Sequence, residues 1–263
     1  MNSELRANSS AAITVASSVT DGDAYDLRAK EDTQRWREEM LRGPGLFSWV
    51  TGRVQSKINA LIPEKAHVAM TAVVKQMTRA VLAGSEFVAP DPLLEGSLAA
   101  REFYIQQKIE GYRTVAAVEG GITGAGGFFM GIADFPLLLG IKLKMLFDMA
   151  ALYGHSCADF RERLYLLQVF QLAFSGKEHR RRIFLQVERW RENATQLPAS
   201  FDEFDWRTYQ QEYRDYIDLA KMAQLIPVVG APVGAVVNYR LVNQLGETAK
   251  YAYRLRRFAA RAS

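Results

Sequence analysis

The sequence has very few of the residues that build disulfides and metal sites. Its single cysteine, Cys157, cannot form a disulfide within the chain, and this usage is typical of a reducing compartment. The three histidines are scattered at positions 67, 155 and 179, outside any zinc-ligand or H-E-x-x-H spacing. His155 lies two positions before Cys157, where residues on a helix point away from each other. We therefore expect no metal site, and we interpret Cys157 as a small half-buried residue at a helix end.

The N-terminus lacks the features of a signal peptide. Residues 1–24 carry Glu4 and Arg6 and continue as a Ser/Ala/Thr-rich stretch. They contain no apolar run of the roughly 7–15 residues that a signal peptide needs. We expect a disordered arm over residues 1–25, followed by a single helical domain over residues 26–263 in the cytoplasm.

Patterns typical of β-structure are also nearly absent. Apolar and polar residues almost nowhere alternate with period two, and Asn-Gly hairpin dipeptides do not occur. Apolar residues instead recur at spacings of three and four, and Gly154 follows one such stretch in the position of a helix C′ residue. The sequence predicts an all-α, multi-helix bundle. The expected helices include Asp26–Leu41, Leu46–Ile62, Glu64–Leu82, Leu93–Val118, Phe135–Tyr153, Asp159–Phe174, Trp206–Leu225 and Arg240–Arg261.

Strong charge of one sign is missing, and so are common catalytic motifs. A formal net charge of +4 falls well short of a nucleic-acid-binding footprint, so we expect no nucleic-acid partner. No Gly-x-Ser-x-Gly elbow occurs. Without a catalytic constellation, the sequence favours a protein that is not an enzyme.

Two Gly-rich apolar segments are the most distinctive features that are present. The first, Val115–Gly131, has six glycines within its last twelve residues. The second, Met222–Tyr239, has 18 residues without a charge. We expect the two segments to pack centrally in the bundle.

Neither glycine segment fits a nucleotide site, and no cofactor is predicted. A P-loop needs Gly-Lys-Ser/Thr, whereas Gly127 is followed by two phenylalanines. The dinucleotide fingerprint needs a glycine where Phe129 lies, and a strand before it.

Small residues at spacings of four predict close contact between helices in these segments. Such a row lets two backbones approach, and mid-helix glycines cost roughly 1 kcal/mol each unless tight burial compensates for them. A flexible hinge is a further explanation, and we favour close packing combined with a local break within the first segment. The glycines expected to pack closely are Gly120, Gly124, Gly127, Gly131, Gly230 and Gly234.

Membrane insertion of these segments stays open at this point. A spanning helix through the first segment would bury Asp134, at a cost of roughly 2.5–3.5 kcal/mol. The second segment is interrupted by Pro227 and Pro232 and is shorter than the roughly 20 residues usual for a span. A buried core helix and a re-entrant segment both fit the pattern.

Glu119 and Asp134 flank the first glycine run. If the run folds back on itself, the two carboxylates approach each other and could serve as acid and base or hold a cation. For Asp134 we favour a simpler role, as the N-cap of a helix that starts at Phe135 with Pro136 in its first turn.

The last helix is basic and carries aromatic residues between its arginines. Cations mixed with aromatics beside an apolar segment suit an anionic cytoplasmic leaflet, although a solvated terminal helix explains the pattern equally well. The candidate membrane contacts are Arg254, Arg256, Arg257 and Arg261.

Two motifs in order resemble the EcsC family. Glu119 leads the glycine run, which continues into Ala-Asp-x-Pro-Leu-Leu at residues 133–138 and closes with Ala-x-x-Tyr-Gly at residues 150–154. The second segment, with its Pro-x-x-Gly at residues 227–230 and Asn238, is similar to the C-terminal element of that family. The resemblance covers roughly residues 46–251, and it departs from the commonest form just after Gly154.

The resemblance implies no established catalytic mechanism; the family is named for a bacterial operon that encodes an ABC transporter. Our first hypothesis is a membrane-associated protein, peripheral to or partly inserted in the inner membrane, that binds lipid or a membrane protein. The alternative is a small-molecule binder or hydrolase-type enzyme with Glu119, Asp134 and Asn238 between the two segments. A purely structural core is a third interpretation. The sequence does not predict an oligomeric state.

Overall fold

A computed structural model describes residues 2–42, 64–83, 90–125, 127–197, 200, 202–203 and 231–262. These parts of the chain form eight helices and no strand, which confirms the all-α prediction. The helices are α1 (Asn2–Leu41), α2 (Glu64–Ala83), α3 (Leu98–Ala125), α4 (Gly127–Leu152), α5 (Phe160–Phe174), α6 (Lys177–Glu188), α7 (Trp190–Ala194) and α8 (Ala231–Ala262). The predicted helices Leu46–Ile62 and Trp206–Leu225, and residues 222–230 of the second glycine segment, lie outside the described residues.

The first helix begins earlier than the sequence indicates. Its backbone is helical from Asn2, through the stretch for which the composition predicts disorder. No proline interrupts these residues, so nothing in their covalent structure stops a helix. Tyr25, in the part of α1 whose side chains are described, donates a hydrogen bond to Glu102 of α3 at 2.5 Å. The domain boundary at residue 25 stays a prediction.

The helix α5 forms the centre of the core. Thirteen of its fifteen residues are buried, and it contacts α2, α6 and α8. Asp159 caps its N-terminus by accepting a hydrogen bond from the backbone N–H of Arg161 at 2.8 Å. A helix that is apolar on nearly all sides has to lie inside the bundle, and α5 does.

Helix α3 lies between α4 and α8 and runs antiparallel to both. Along α8, Glu102 meets Arg254, the side chain of Ile109 lies against Gly246, and Gly120 meets Gly234. Partner numbers fall along α8 as they rise along α3, which defines the antiparallel order. The same order relates α3 to α4, since Arg101 bonds to Leu152 while Tyr112 bonds to Asp148.

The end of α4 is closed by a glycine and by a buried arginine. Gly154 adopts φ +87° directly after the helix, which confirms its predicted role as the C′ residue. The guanidinium of Arg101 donates to the carbonyl oxygens of Leu152 (2.7 Å), Leu93 (2.6 Å) and Leu94 (3.0 Å). Arg101 therefore satisfies an orphan carbonyl of α4 and fixes the loop before α3 at the same time.

A buried ion pair joins three helices and a turn around Glu102. Arg254 donates two hydrogen bonds to this carboxylate, Nε to Oε1 at 2.7 Å and one terminal nitrogen to Oε2 at 2.5 Å. The hydroxyls of Tyr25 (2.5 Å) and Tyr153 (2.9 Å) donate to the same carboxylate. The cluster connects α1 and α8 with α3 and with the turn that follows α4.

This geometry corrects the interpretation of the basic tail. Arg254 is 6% exposed, and Arg256 donates to the buried carboxylate of Glu162 at 2.6 Å. Both cations are used inside the bundle, so as membrane contacts these two residues were predicted wrongly. Arg257 lies in the same helix and is partly buried, and the side chain of Arg261 lies outside the described set.

Replacing Arg254 with glutamine should destabilise the fold strongly. The change leaves Glu102 buried without its cation, which typically costs about 3–5 kcal/mol. Urea unfolding followed by circular dichroism measures this difference.

The matched control is Arg240→Gln, because Arg240 is exposed on the same helix. We expect that variant to stay within about 0.5 kcal/mol of the wild type. Equal, small effects for both variants would show that the Glu102 cluster does not hold the helices together.

Candidate functional site

The two glycine segments meet where α3 passes the first turns of α8. A Cβ built on Gly120 would lie 2.6 Å from the carbonyl oxygen of Gly234 and 2.5 Å from Nδ2 of Asn238. Neither distance leaves room for a carbon atom, and the nearest group on the Gly234 side is backbone, which cannot move aside as a side chain can. The absence of a side chain at Gly120 therefore sets how closely α3 approaches α8.

The other candidate glycines lie around this contact or beyond the described chain. Gly124 belongs to the last turn of α3, and Gly127 and Gly131 belong to the first turns of α4. The glycine run thus spans the end of α3 and the start of α4, and residue 126 between them lies outside the described residues. Gly230 lies outside the described residues.

Asp134 is not an N-cap, which corrects the sequence interpretation. Helix α4 begins at Gly127, so Asp134 and Pro136 both lie within it. The apolar glycine-rich residues before Asp134 belong to the same helix, and α4 as a whole packs against α3. Glu119 lies in α3 directly before Gly120, and both acidic side chains are partly buried.

The structure adds a buried lysine that the sequence analysis missed. Lys142 of α4 has an exposed fraction of 0%, and its Nζ donates to the carbonyl oxygen of Leu138 at 3.2 Å and to Oδ1 of Asn238 at 3.3 Å. The amide of Asn238 donates in turn to the carbonyl oxygen of Gly234 at 3.3 Å. A polar chain therefore runs from α4 through α8 to the glycine contact.

Burial lowers the pKa of Lys142 to about 7. An ammonium group loses its hydration when buried, and neither of its two described partners carries a charge that would compensate. A lysine with this pKa is partly neutral near pH 7, the state in which an amine acts as a base or a nucleophile.

A signal for Lys142 does exist in the sequence. Phe135, Lys142 and Met149 are separated by seven residues each, so they share one face of the helix, and all three are buried. A charged residue on an otherwise apolar helical face is the pattern that would have identified it.

The buried carboxylates in the described residues are paired with cations. Glu102 is bonded to Arg254, and Glu162 is bonded to Arg256 and to the hydroxyl of Tyr253 at 2.6 Å. Asp148 accepts from Lys144 and from the hydroxyl of Tyr112, and these bonds outweigh burial, so the pKa of Asp148 lies below its usual range. These pairings give the three groups structural roles.

Cys157 is more deeply buried than the half-buried position expected for it. It lies in no disulfide, it is buried after α4, and burial raises its pKa to about 12. A thiol in this environment stays protonated and is a poor nucleophile.

Two searches of the described residues gave negative results. No group of three or more His, Cys, Asp or Glu side chains in that part of the chain is placed to hold a metal ion. None of the helices described has the combined length and apolar character needed to cross a bilayer.

Comparison with known proteins identifies the family. The model of the EcsC protein family matches residues 28–258, a range that includes both glycine segments. The chain belongs to the EcsC family. Protein EcsC of Bacillus subtilis (strain 168) is 44% identical over 227 residues, which are 86% of this chain and 93% of that protein. The resemblance seen in the two sequence motifs is thereby confirmed.

A second relative covers less of the chain. The uncharacterized protein YdbA of Bacillus subtilis (strain 168) is 32% identical over 146 residues, which are 56% of this chain and 54% of that protein. No solved structure matches the chain.

Of the three polar groups expected between the segments, the structure places Asn238 in the contact itself. Glu119 is the chain neighbour of Gly120, whereas Asp134 lies two turns before Lys142 on α4. A ligand site between the segments stays a prediction, and Lys142 is the residue to add to it.

Replacing Gly120 with alanine should destabilise the protein. The new methyl group would collide with the backbone of Gly234, and overpacking of this kind costs about 1–3 kcal/mol. The midpoint of thermal unfolding measures the effect.

The control is Gly111→Ala on the same helix. A Cβ at Gly111 would meet nothing within 4 Å, so alanine should stabilise the helix by about 0.5–1 kcal/mol. If both alanine variants unfolded at a higher temperature than the wild type, the close approach of α3 and α8 at Gly120 would be contradicted.

Lys142 should make the free energy of unfolding depend on pH. The unfolded chain holds its proton up to the ordinary pKa of 10.5, whereas the folded protein releases it at about 7. Between these values the unfolded state binds more protons, so stability rises with pH by up to about 1.4 kcal/mol per unit.

Urea titrations from pH 7 to pH 10 on the wild type and on Lys142→Met test this. The wild type should gain stability relative to the variant as the pH rises, whereas Lys75→Met, which removes an exposed lysine of α2, should follow the wild type. Identical pH dependence in all three proteins would contradict burial of Lys142 at this site.

Proposed function

We propose that this EcsC-family protein acts at an anionic membrane surface and docks through an apolar face of α3. The observation that carries the proposal is a row of exposed apolar side chains near the C-terminal end of this helix. We call it the apolar end patch. Its members are Val115, Val118 and Ile122, whose side chains are 49%, 57% and 60% exposed.

The helix geometry explains why these residues lie together. Spacings of three and four place Val115, Val118 and Ile122 on one face of α3, on either side of Gly120 along the chain. Gly120 is two residues from both Val118 and Ile122, so it lies on the opposite face of α3, where it meets Gly234 of α8. The patch therefore faces away from α8.

The exposure of the patch side chains is informative because these apolar residues lie next to each other. Single exposed apolar residues are normal on soluble proteins, whereas contiguous ones mark contact surfaces. Ile122 is 60% exposed, as much as many polar surface residues. The stretch from Gly120 to Ala133 contains no charge, so the end of the helical pair beside the patch carries no ionic group that a bilayer would have to desolvate.

An exposed cation adds attraction to an anionic leaflet. Arg240 of α8 is exposed, whereas Arg113 of α3 is mostly buried: it pairs with Glu110 at 3.1 Å and stacks over the ring of Tyr239, with its guanidinium carbon 4.0 Å from the centroid. Each basic residue near an anionic surface contributes about 1 kcal/mol. This contribution replaces the one first expected from Arg254 and Arg256.

The mode of contact is interfacial. The patch is the outer face of α3, whose other faces pack against α4 and α8, so its side chains enter the headgroup region without unpacking the fold. An apolar surface of a membrane protein, such as a transporter subunit, is the alternative occupant of the same patch.

Replacing Ile122 with glutamate should release the protein from vesicles. Burying an isoleucine contributes about 1.5–3 kcal/mol, so its loss and the new negative charge should weaken binding at least about tenfold. Sedimentation with phosphatidylglycerol vesicles at low salt measures the bound fraction.

Leu27→Glu is the matched control, because Leu27 of α1 is also 60% exposed but lies outside the patch. That variant should bind as the wild type does. If the wild type fails to sediment with protein-free vesicles but binds native membranes through Ile122, the lipid surface is the wrong occupant and a membrane protein is the right one.

A further inference from the structure

A separate cavity opens where α1, α5, α6 and α8 meet. Its volume is about 230 Å³, equal to about eight water molecules at liquid density. Its polar and aromatic lining residues are Trp36, Glu39, Arg180, Gln244, Glu247, Thr248 and Tyr251. None of them belongs to the apolar end patch or to the glycine contact.

One wall of the cavity is aromatic and fixed in place. The rings of Trp36 and Tyr251 stack with their centroids 5.2 Å apart, and the edge of Trp36 packs with Phe184 at 5.4 Å. Both side chains are held by their neighbours before any ligand arrives, which keeps the conformational cost of binding low.

Polar groups lining the cavity keep acceptor capacity. The side-chain N–H of Gln244 donates to the carbonyl oxygen of Ala173 at 2.6 Å, which orients the amide and leaves its oxygen as an acceptor. Glu247 is paired with Lys250 at 2.5 Å and retains a second carboxylate oxygen. These acceptors suit a ligand that donates hydrogen bonds.

Two opposite charges line the cavity without meeting. Glu39 comes from α1 and Arg180 from α6, and in the described part of the chain neither forms an ion pair or a side-chain hydrogen bond. They are therefore more than 4.0 Å apart, although they line the same small space. A molecule that carried both charges could neutralise both side chains at once.

We infer that this cavity binds a small zwitterion, with its anionic group on Arg180 and its ammonium group on Glu39 and Glu247. A ligand that is only an anion would be repelled by the two carboxylates, and a ligand that is only a cation would be repelled by the guanidinium. A zwitterion avoids both repulsions, because each of its charged groups can contact a side chain of opposite charge. The cavity lies below the roughly 300–1,000 Å³ typical of drug-sized ligands, which restricts the ligand to amino-acid size.

Two sources supply this chemistry. Free amino acids and O-phosphoethanolamine carry an ammonium and an acidic group in one small molecule, and the headgroup of phosphatidylethanolamine carries the same pair on a lipid. The inference goes beyond membrane docking and does not depend on it, because the two surfaces share no residue.

Calorimetric titration of the full chain with O-phosphoethanolamine and with a set of L-amino acids tests the inference. Acetate, phosphate and ethylamine serve as probes that carry only one of the two charges. We expect at least one zwitterion to bind at millimolar concentration or below, at least about tenfold more tightly than any single-charge probe. Vesicles of phosphatidylcholine with and without phosphatidylethanolamine form the lipid arm.

Arg180→Gln and Glu39→Gln should each weaken zwitterion binding about tenfold or more, because each removes one of the two charges. The controls are Arg181→Gln and Glu38→Gln, which change the neighbouring exposed residues outside the cavity and should bind as the wild type does. Thermal unfolding of all four variants should match the wild type, since both target side chains are described without an ion-pair partner.

Arg180-dependent binding of soluble probes identifies a free molecule, and Arg180-dependent binding confined to phosphatidylethanolamine vesicles identifies a headgroup; both support the zwitterion site. Absence of binding in both arms overturns it. Equal binding of single-charge probes, or binding unchanged in Arg180→Gln and Glu39→Gln, overturns it as well.

Discussion

The packing of α8 along α3 is the contact on which the other described helices depend, and it is fixed differently at its two ends. At one end, the missing side chain of Gly120 lets the backbone of Gly234 approach. At the other, Glu102 of α3 holds Arg254 of α8 in a bidentate ion pair. Gly120 and Glu102 are 18 positions apart, so these two contacts are separated by about 27 Å along the helix. A helix held at two such distant points has no freedom to slide or to rotate.

The two contacts explain why polar groups are placed inside this bundle. Apolar packing is non-directional, so it tolerates a shift of one helix past another better than a hydrogen-bonded pair does. Glu102 and Asn238 each accept a bond from another helix in one geometry only, Glu102 from Arg254 and Asn238 from Lys142. These polar contacts define one alignment for α4 and α8 against α3, at the cost of desolvating charged groups.

Much of the fold could be predicted from local patterns. Helical spacing gave the all-α class, Gly154 marked the end of α4, and small residues four apart indicated the close contact at Gly120 and Gly234. These features depend on residues within a few turns of each other. A single sequence contains that information directly.

The site was less predictable because its partners are distant in the chain. Arg254 bonds to a carboxylate 152 residues away, and Lys142 to an amide 96 residues away. Charge periodicity cannot show whether an arginine on a helix faces water or a buried glutamate. The prediction that Asp134 is an N-cap was wrong for a related reason. An Asp two residues before a proline also occurs inside a helix when packing holds the preceding glycines in helical conformation.

The position of α8 in the chain has a consequence for how the protein is made. Ribosomes synthesise α8 after all of the other described helices, yet it is the partner of α3, which emerges more than a hundred residues earlier. Until α8 is complete, Ile109 of α3 lacks the backbone of Gly246 against which it packs, and Glu102 lacks its cation. Formation of this core therefore has to follow translation of α8, and the nascent chain carries an exposed apolar helix face during that interval.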